Sequence, residues 1–335
     1  MIYLSPSMML SFASLMLGNN ILSRKTSASA LKMSSLSKSP LMDVGTLAKC
    51  LNDVKVVDAS WHLSDRDGKK EFIDGHIPNA RFFDIDRISD KGSNLPHMLP
   101  RADQFGAHIS EMGISNDDKV VVYTAGGCFS ASRCWWTFKI FGHKNVFVLN
   151  GGLPAWIESG REIERGDFPS ESTSPPKNLV ETKGNSWLLN NKGYQAKLVP
   201  SMVKTWNQVL QVSESCQNRI IDARSKARFD GKAPEPRAGL ASGHIPNSVC
   251  VPFTAVLAEG DFTRFRSPDE IKNVFESAGV DINSAEPLIT TCGSGVTASV
   301  LTFALHLVGR DCGNTPVYDG SWSEWGSRSD LPVSV

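Results

Sequence analysis

Residues 288–300 read LITTCGSGVTASV: a short apolar run, a cysteine, two glycines within the next three positions, then apolar residues at helical spacing. Leu288–Thr291 reads as a buried strand. Thr297–Val308 reads as a helix with Ala298, Leu301, Ala304, Leu305 and Val308 at core spacing. The loop between them therefore lies at the carboxyl end of a strand, where sheets of this kind form their clefts.

The stretch has a counterpart earlier in the chain. EPLITTCGS (286–294) parallels KVVVYTAGG (119–127), where Val120–Tyr123 reads as a strand and Ser130–Phe141 as the following helix. NRIIDARS (218–225) parallels VKVVDASW (54–61), GHIPNS (243–248) repeats GHIPNA (75–80), and TPVYDGSWSEW (315–325) parallels VFVLNGGLPAW (146–156). The order is the same in both halves, with corresponding residues 164 (Asp58 and Asp222) to 169 (Trp156 and Trp325) positions apart. Four matches in register indicate duplication. Each copy alternates short apolar strands with helical stretches, which predicts a mostly parallel sheet covered by helices. Glu164–Asn191 is rich in Ser, Pro, Lys, Asn and Gly without periodicity and reads as a linker over the surface.

A chain of 335 residues with 41% apolar content is long enough for two domains with substantial cores. The 35 basic and 35 acidic residues balance, but residues 1–42 hold four basic residues (Arg24, Lys25, Lys32, Lys38) and no acid. The remainder is mildly acidic and has no basic stripe for nucleic acid. The charge of the leader follows its apolar stretch, unlike a secretory signal, and Met8–Leu17 is too short to cross a membrane. Residues 1–42 therefore read as an organelle transit peptide, mitochondrial or alternatively plastid, or as a disordered tail. Met33 or Met42 offers an internal start and a cytosolic form. The seven cysteines, at 50, 128, 134, 216, 250, 292 and 312, have neither CxxC nor zinc-like spacing, so neither a disulfide framework nor a metal site is expected.

Cys292 is the candidate nucleophile. A cysteine attacks as thiolate, and a helix N-terminus with unpaired amides favours that charge. Gly293 and Gly295 let the backbone turn its N–H groups toward one centre, while Ser294 and Thr297 add hydroxyls. The plain alternative is a buried core cysteine that happens to precede a helix. In strand alignment Ala125 falls where Cys292 stands, so only the second copy carries the nucleophile. Cys128 and Cys134 read as structural. A cysteine-phosphatase loop would need arginine where Ala298 stands, and a serine elbow would need glycine where Cys292 stands. No dinucleotide or P-loop pattern is present.

With GHIP in each half and CGSGVTA (292–298) after the second-copy strand, the chain resembles the two-domain rhodanese-type sulfurtransferases over about residues 45–332. IDARSKARFDGKAPEPRAG (221–239) is similar to the plant members in particular. The resemblance implies an α/β fold of two tandem rhodanese-like domains, each a mostly parallel sheet covered by helices on both faces. It implies a non-catalytic domain at 43–163, a linker at 164–195 and a catalytic domain at 196–335. Family members with two basic residues after the cysteine prefer thiosulfate. Those with Gly-Ser or Gly-Thr, as at Gly293-Ser294, prefer 3-mercaptopyruvate.

The implied reaction passes a sulfur through a Cys292 persulfide to a thiol acceptor, such as thioredoxin or glutathione, or to cyanide, with no cofactor or metal. Arg228 and Arg237 match the family's carboxylate-binding arginines, with Gly293, Gly295, Val296 and Thr297 lining the substrate loop. Asp86 in FFDID (82–86) and His97 in LPHMLP (95–100) match residues that approach the loop serine, here Ser294. His76 and His244 occur in both halves and so read as structural. TAGGCF (124–129) departs from the more acidic loop of many relatives. The rival readings are a thiosulfate:cyanide sulfurtransferase and a non-catalytic rhodanese-like binding module.

Overall fold

Short, mostly β-branched apolar runs become the central strands, and Val120–Tyr123, Ile220–Asp222 and Ile289–Thr291 are buried at every position. The computed structural model describes residues 39–63, 66–127, 129–167, 193–215 and 219–335. It divides into the units Met1–Ser39, of which only Ser39 is described, and Pro40–Val335, to which everything below belongs. The proposed transit segment therefore falls almost wholly outside the described residues, as do Cys128, Cys216 and residues 168–192 of the expected linker.

The first half runs β1 (Leu41–Met42), α1 (Val44–Cys50), β2 (Lys55–Asp58), α2 (Gly68–Asp74), β3 (Arg81–Phe82), α3 (Ala102–Glu111), β4 (Val120–Tyr123), α4 (Phe129–Ile140), β5 (Val146–Leu149) and α5 (Gly152–Glu158). The second half runs β6 (Val203–Lys204), α6 (Trp206–Ser215), β7 (Ile220–Asp222), α7 (Lys226–Phe229), β8 (Val249–Cys250), β9 (Leu257–Ala258), β10 (Asp261–Phe265), α8 (Pro268–Ser277), β11 (Ile289–Thr291), α9 (Ala298–Leu307), β12 (Val317–Tyr318) and α10 (Ser321–Trp325). Strand order is β1-β5-β4-β2-β3 in one five-stranded sheet and β6-β12-β11-β7-β8 in the other, all parallel. The two orders correspond strand for strand, as duplication requires. Antiparallel β9 and β10 form a separate ribbon.

Alternation along the strands sends side chains to opposite faces. Ile221 and Leu288 join one apolar cluster, while Ile220 and Ile289 join another with Val209, Tyr318, Trp322 and Trp325. The second sheet is therefore covered on both faces. The larger cluster runs through both halves, and its centre is the pair α4 and α9, where Trp135 meets Phe303 edge-on at 4.8 Å between ring centroids. This contact corrects the amphipathic expectation for α9. Ala298–Leu305 is buried on every side, including Ser299 and Thr302, because a helix of the other half covers the face that would otherwise meet water.

Strand pairing also corrects the alignment of the halves. Asp58 pairs with Tyr123 and Asp222 with Thr291, so Thr124, not Ala125, occupies the place of Cys292. Gly127 (φ 80°) and Gly295 (φ 76°) match on the same register. Both ends of the expected linker pack on the first half. Glu164 bridges to His76, Tyr194 is buried against Phe105 and His143, and the amides of Lys197 and Val199 donate to the carbonyls of Phe141 and Ile140.

The two GHIP histidines do the same structural work. His76 stacks on Phe72 and donates Nδ1–H to its carbonyl, and His244 does so with Phe229. The glycines before them differ. Gly243 has φ 123°, and a Cβ there would lie 2.2 Å from the Ser334 carbonyl oxygen. Gly75 is extended (φ 173°), and its Cβ would meet only the end of Ile163 at 3.0 Å. Gly243→Ala is therefore expected to cost about 2 kcal/mol or more and Gly75→Ala less than about 1 kcal/mol. Thermal unfolding of the two variants side by side checks this, and equal losses contradict it.

Candidate active site

Cys292 leaves β11 directly into the turn that starts α9, and its position is fixed from behind. Its N–H donates to Ser321 Oγ at 3.1 Å, and that hydroxyl donates to the Tyr318 carbonyl at 2.8 Å. The carbonyls of Cys292 and Gly293 accept from the N–H groups of Trp322 and Ser323, each at 2.9 Å. Ser321 sits at φ 49°, a conformation costly for a residue with a Cβ and taken by Gly152 at the matching turn of the first half. With its carbonyls turned toward α10, the loop keeps the amides of residues 293–297 without a protein acceptor among the described residues. Left-handed Gly295 makes the bend. Gly293 is not left-handed and serves a different need, since a Cβ there would sit 3.2 Å from Arg228 Nη2 and 3.9 Å from Arg237 Nη1.

Cys292 is 2% exposed, yet it lines a cavity of about 270 Å³. Ser294, Val296, Thr297, Arg228 and Arg237 line it from the second half, with Phe253 and Pro236. Trp61, Leu63 and Phe129 close it from the first half. The other described cysteines are poor nucleophiles. Burial pushes the thiol of Cys250 up to about 12 and that of Cys312 up to about 11, and raises Cys134 well beyond the ordinary thiol range.

The two arginines converge on the loop but differ in state. Arg228 is held by Glu235, which accepts from both its Nε and Nη2. Arg237 makes no hydrogen bond or ion pair to any described residue. Burial, with Arg228 adding to it, pulls the Arg237 guanidinium below its ordinary value, against the opposing influence of Cys292, Glu235 and Asp86. It is therefore a half-buried cation with nothing to neutralise it directly, in the cavity that contains the thiol.

From the first half, His97 places Nδ1 3.0 Å from Ser294 Oγ and Nε2 3.1 Å from Asp86 Oδ1. Trp61 Nε1–H donates to the other Asp86 oxygen at 2.9 Å and meets the His97 ring edge-on. The His97 bond, helped by Trp61, holds the Asp86 carboxyl below the usual carboxylate range despite partial burial. An ionised Asp86 accepts the Nε2 proton, which leaves Nδ1 of a neutral ring as acceptor for the Ser294 hydroxyl.

Among the site residues that the sequence reading did not name, Arg133 and Asp319 bind the two halves together. Arg133, on α4 and 2% exposed, donates Nη1–H to Asp319 Oδ1 at 2.6 Å and to the Gly295 carbonyl at 3.3 Å, and Nη2–H to the His97 carbonyl at 2.5 Å. Asp319 Oδ2 accepts from Leu99 N–H at 2.7 Å. This buried pair grips the His97 segment, whose φ of 61° is itself unfavourable, and the Cys292 loop together. The available signal was a departure from the repeat: Asp319 stands where the first half has Asn150.

Residues 44–159 and 205–328 each match the rhodanese-like domain. The chain is similar to thiosulfate/3-mercaptopyruvate sulfurtransferase 1, mitochondrial, of Arabidopsis thaliana (43% identity over 286 residues, 84% of this chain and 74% of the relative). It is also similar to the 3-mercaptopyruvate sulfurtransferase of Rattus norvegicus (40% over 280 residues, 82% and 86%). Its fold matches the crystal structure of SseA from Escherichia coli, a 3-mercaptopyruvate sulfotransferase by its description, with TM-score 0.69 and 34% identity, covering 85% of this chain and 99% of that one.

Arg133→Met is expected to cost about 3–5 kcal/mol, because it strands the Asp319 charge in the interior. Arg133→Met combined with Asp319→Asn is expected to lose less than Arg133→Met alone, since no uncompensated charge remains. Urea unfolding of both variants reads the difference.

Proposed function

We propose that this chain, which belongs to the rhodanese family and is a sulfurtransferase, takes sulfur from 3-mercaptopyruvate and carries it as a Cys292 persulfide to an acceptor. The observation that carries this reading is the shared cavity: an attackable thiol, an unpaired guanidinium in Arg237 and a histidine-bonded hydroxyl in Ser294 all face one space. A small 2-oxo acid with a neighbouring thiol needs those three groups.

The carboxylate of the donor seats against Arg237, with Arg228 beside it, while the Cys292 thiolate attacks the donor sulfur. A sulfur–sulfur bond forms and the carbon–sulfur bond breaks, its electron pair passing into the enolate of pyruvate. The thiol proton of the donor moves through Ser294 and His97 to C3, giving pyruvate and Cys292–S–S⁻. Asp86 keeps the ring in the tautomer that accepts from Ser294 and stabilises the imidazolium that forms. The free amides of residues 293–297 hold the persulfide charge. A thiolate acceptor then attacks the outer sulfur, leaves with it as its own persulfide and restores the Cys292 thiolate. Cyanide does the same and leaves as thiocyanate.

The second half carries the nucleophile and the arginines. The first half supplies His97, Asp86 and the aromatic wall. Thioredoxin and glutathione are the acceptor classes we favour, and a mitochondrial location is favoured by the acid-free leader and the mitochondrial Arabidopsis relative. Thiosulfate is the second donor to consider, since that relative is named for both. A purely binding module would have no use for a thiol facing a cavity beside an unpaired guanidinium.

Treatment with 3-mercaptopyruvate without acceptor should add one sulfur atom at Cys292 by intact-mass spectrometry, and Cys292→Ser should abolish both this and pyruvate formation. Persistent turnover in that variant ends the proposal. Arg237→Gln should raise the KM for 3-mercaptopyruvate roughly tenfold or more, and Arg228→Gln should raise it less because Glu235 already engages that group. Ser294→Ala should slow pyruvate release in single turnover while leaving discharge of the persulfide to cyanide nearly unchanged.

A further inference from the structure

Glu235 lies between the two substrate-facing arginines in sequence and is only 4% exposed at its side chain. Its Oε1 accepts from Arg224 Nη1 at 2.8 Å as well as from Arg228 Nε at 3.2 Å, and its Oε2 accepts from Arg228 Nη2. Arg224 is buried, clamped by Asp222 and stacked over the Trp322 ring at 4.2 Å from its centroid. Three guanidinium groups, Arg224, Arg228 and Arg237, thus stand against two carboxylates, Asp222 and Glu235. Asp86, within electrostatic reach of Arg237 from the other half, is itself taken up by His97 and Trp61.

Arg237 alone of the three guanidinium groups has no carboxylate bonded to it among the described residues; the charge of Asp86 acts on it only from a distance, since the neutral His97 ring orients that carboxylate without cancelling it. A donor with a single carboxylate matches Arg237. Thiosulfate, with two negative charges, does not, and it must also approach a thiolate. Resting on the reading of the site given above, we propose that Glu235 is a specificity-determining residue: by occupying Arg228 it sets the cavity's charge to favour a monoanionic donor over a dianionic one. It acts through Arg228 and Arg224 and so is a positioning residue.

The test is the ratio of kcat/KM for thiosulfate to that for 3-mercaptopyruvate, with cyanide as acceptor at fixed ionic strength, in the full chain. Loss of structure lowers both values and cancels in the ratio. Glu235→Gln frees Arg228 and should raise the ratio about tenfold. An unchanged or lower ratio overturns the proposal. Glu235→Asp keeps the charge and should leave the ratio within about twofold of the parent, whereas a rise like that of the glutamine variant assigns the effect to shape and overturns the proposal. If Glu235→Gln does not fold, the parent protein still decides. Methanesulfonate, a monoanion, should compete with 3-mercaptopyruvate at least as well as sulfate, a dianion of similar shape, and clearly tighter binding of sulfate overturns the inference. These outcomes are separate from failure of the catalytic reading itself, which would show as no pyruvate and no persulfide from the parent protein.

Discussion

Arg133 is the contact on which the site depends. A guanidinium withdrawn from water is a liability of several kcal/mol unless every donor is met. Here Asp319, two carbonyls and the face of Trp136 meet it, and they come from both halves of the chain. It is satisfied only when the halves are docked and both the His97 segment and the Gly295 turn have closed on it. Apolar packing between α4 and α9 supplies adhesion without direction, while the ion pair supplies register. That register is what allows His97, from one half, to meet Ser294, from the other, at hydrogen-bonding distance.

The loop around Cys292 is organised by subtraction. The carbonyls of Cys292 and Gly293 are bound from behind by the α10 turn, and the amides of residues 293–297 have no acceptor among the described residues. The first half has the same strand order and the same left-handed glycine. There, Thr124 holds the nucleophile's position and turns its hydroxyl to the Gly127 carbonyl. One copy of the duplicated fold therefore carries a cysteine at the end of β11, and the other supplies an aromatic wall and the histidine that bonds Ser294.

Much of this was legible in the chain itself. The short apolar runs of the strands, the four repeated motifs and the strand–loop–helix around Cys292 are local patterns, and local patterns determine sheet and helix. Arg228 and Arg237 lie close enough in sequence to suggest that they converge. The register of the two halves was off by one, because a run of β-branched residues fits either alignment until strand pairing decides. Arg133 was not legible as a site residue. It sits in a helix with no polar face to mark it as buried, and its partner Asp319 is 186 positions away. Glu235 was in view inside PEPR, but its meaning depends on which arginine it binds, and that is settled only by the packing of Arg224 against Trp322.

Gly293 constrains how such a loop changes over evolutionary time. A basic side chain there would begin 3.2 Å from one guanidinium and 3.9 Å from another, so its arrival is unfavourable while both arginines remain. Loss of Arg237 first would remove the guanidinium that no carboxylate holds and leave only the end of Arg228, tied to Glu235, to give way. The fitness effect of one codon thus hinges on another, and a lineage drifting between donors would pass through position 237 before position 293.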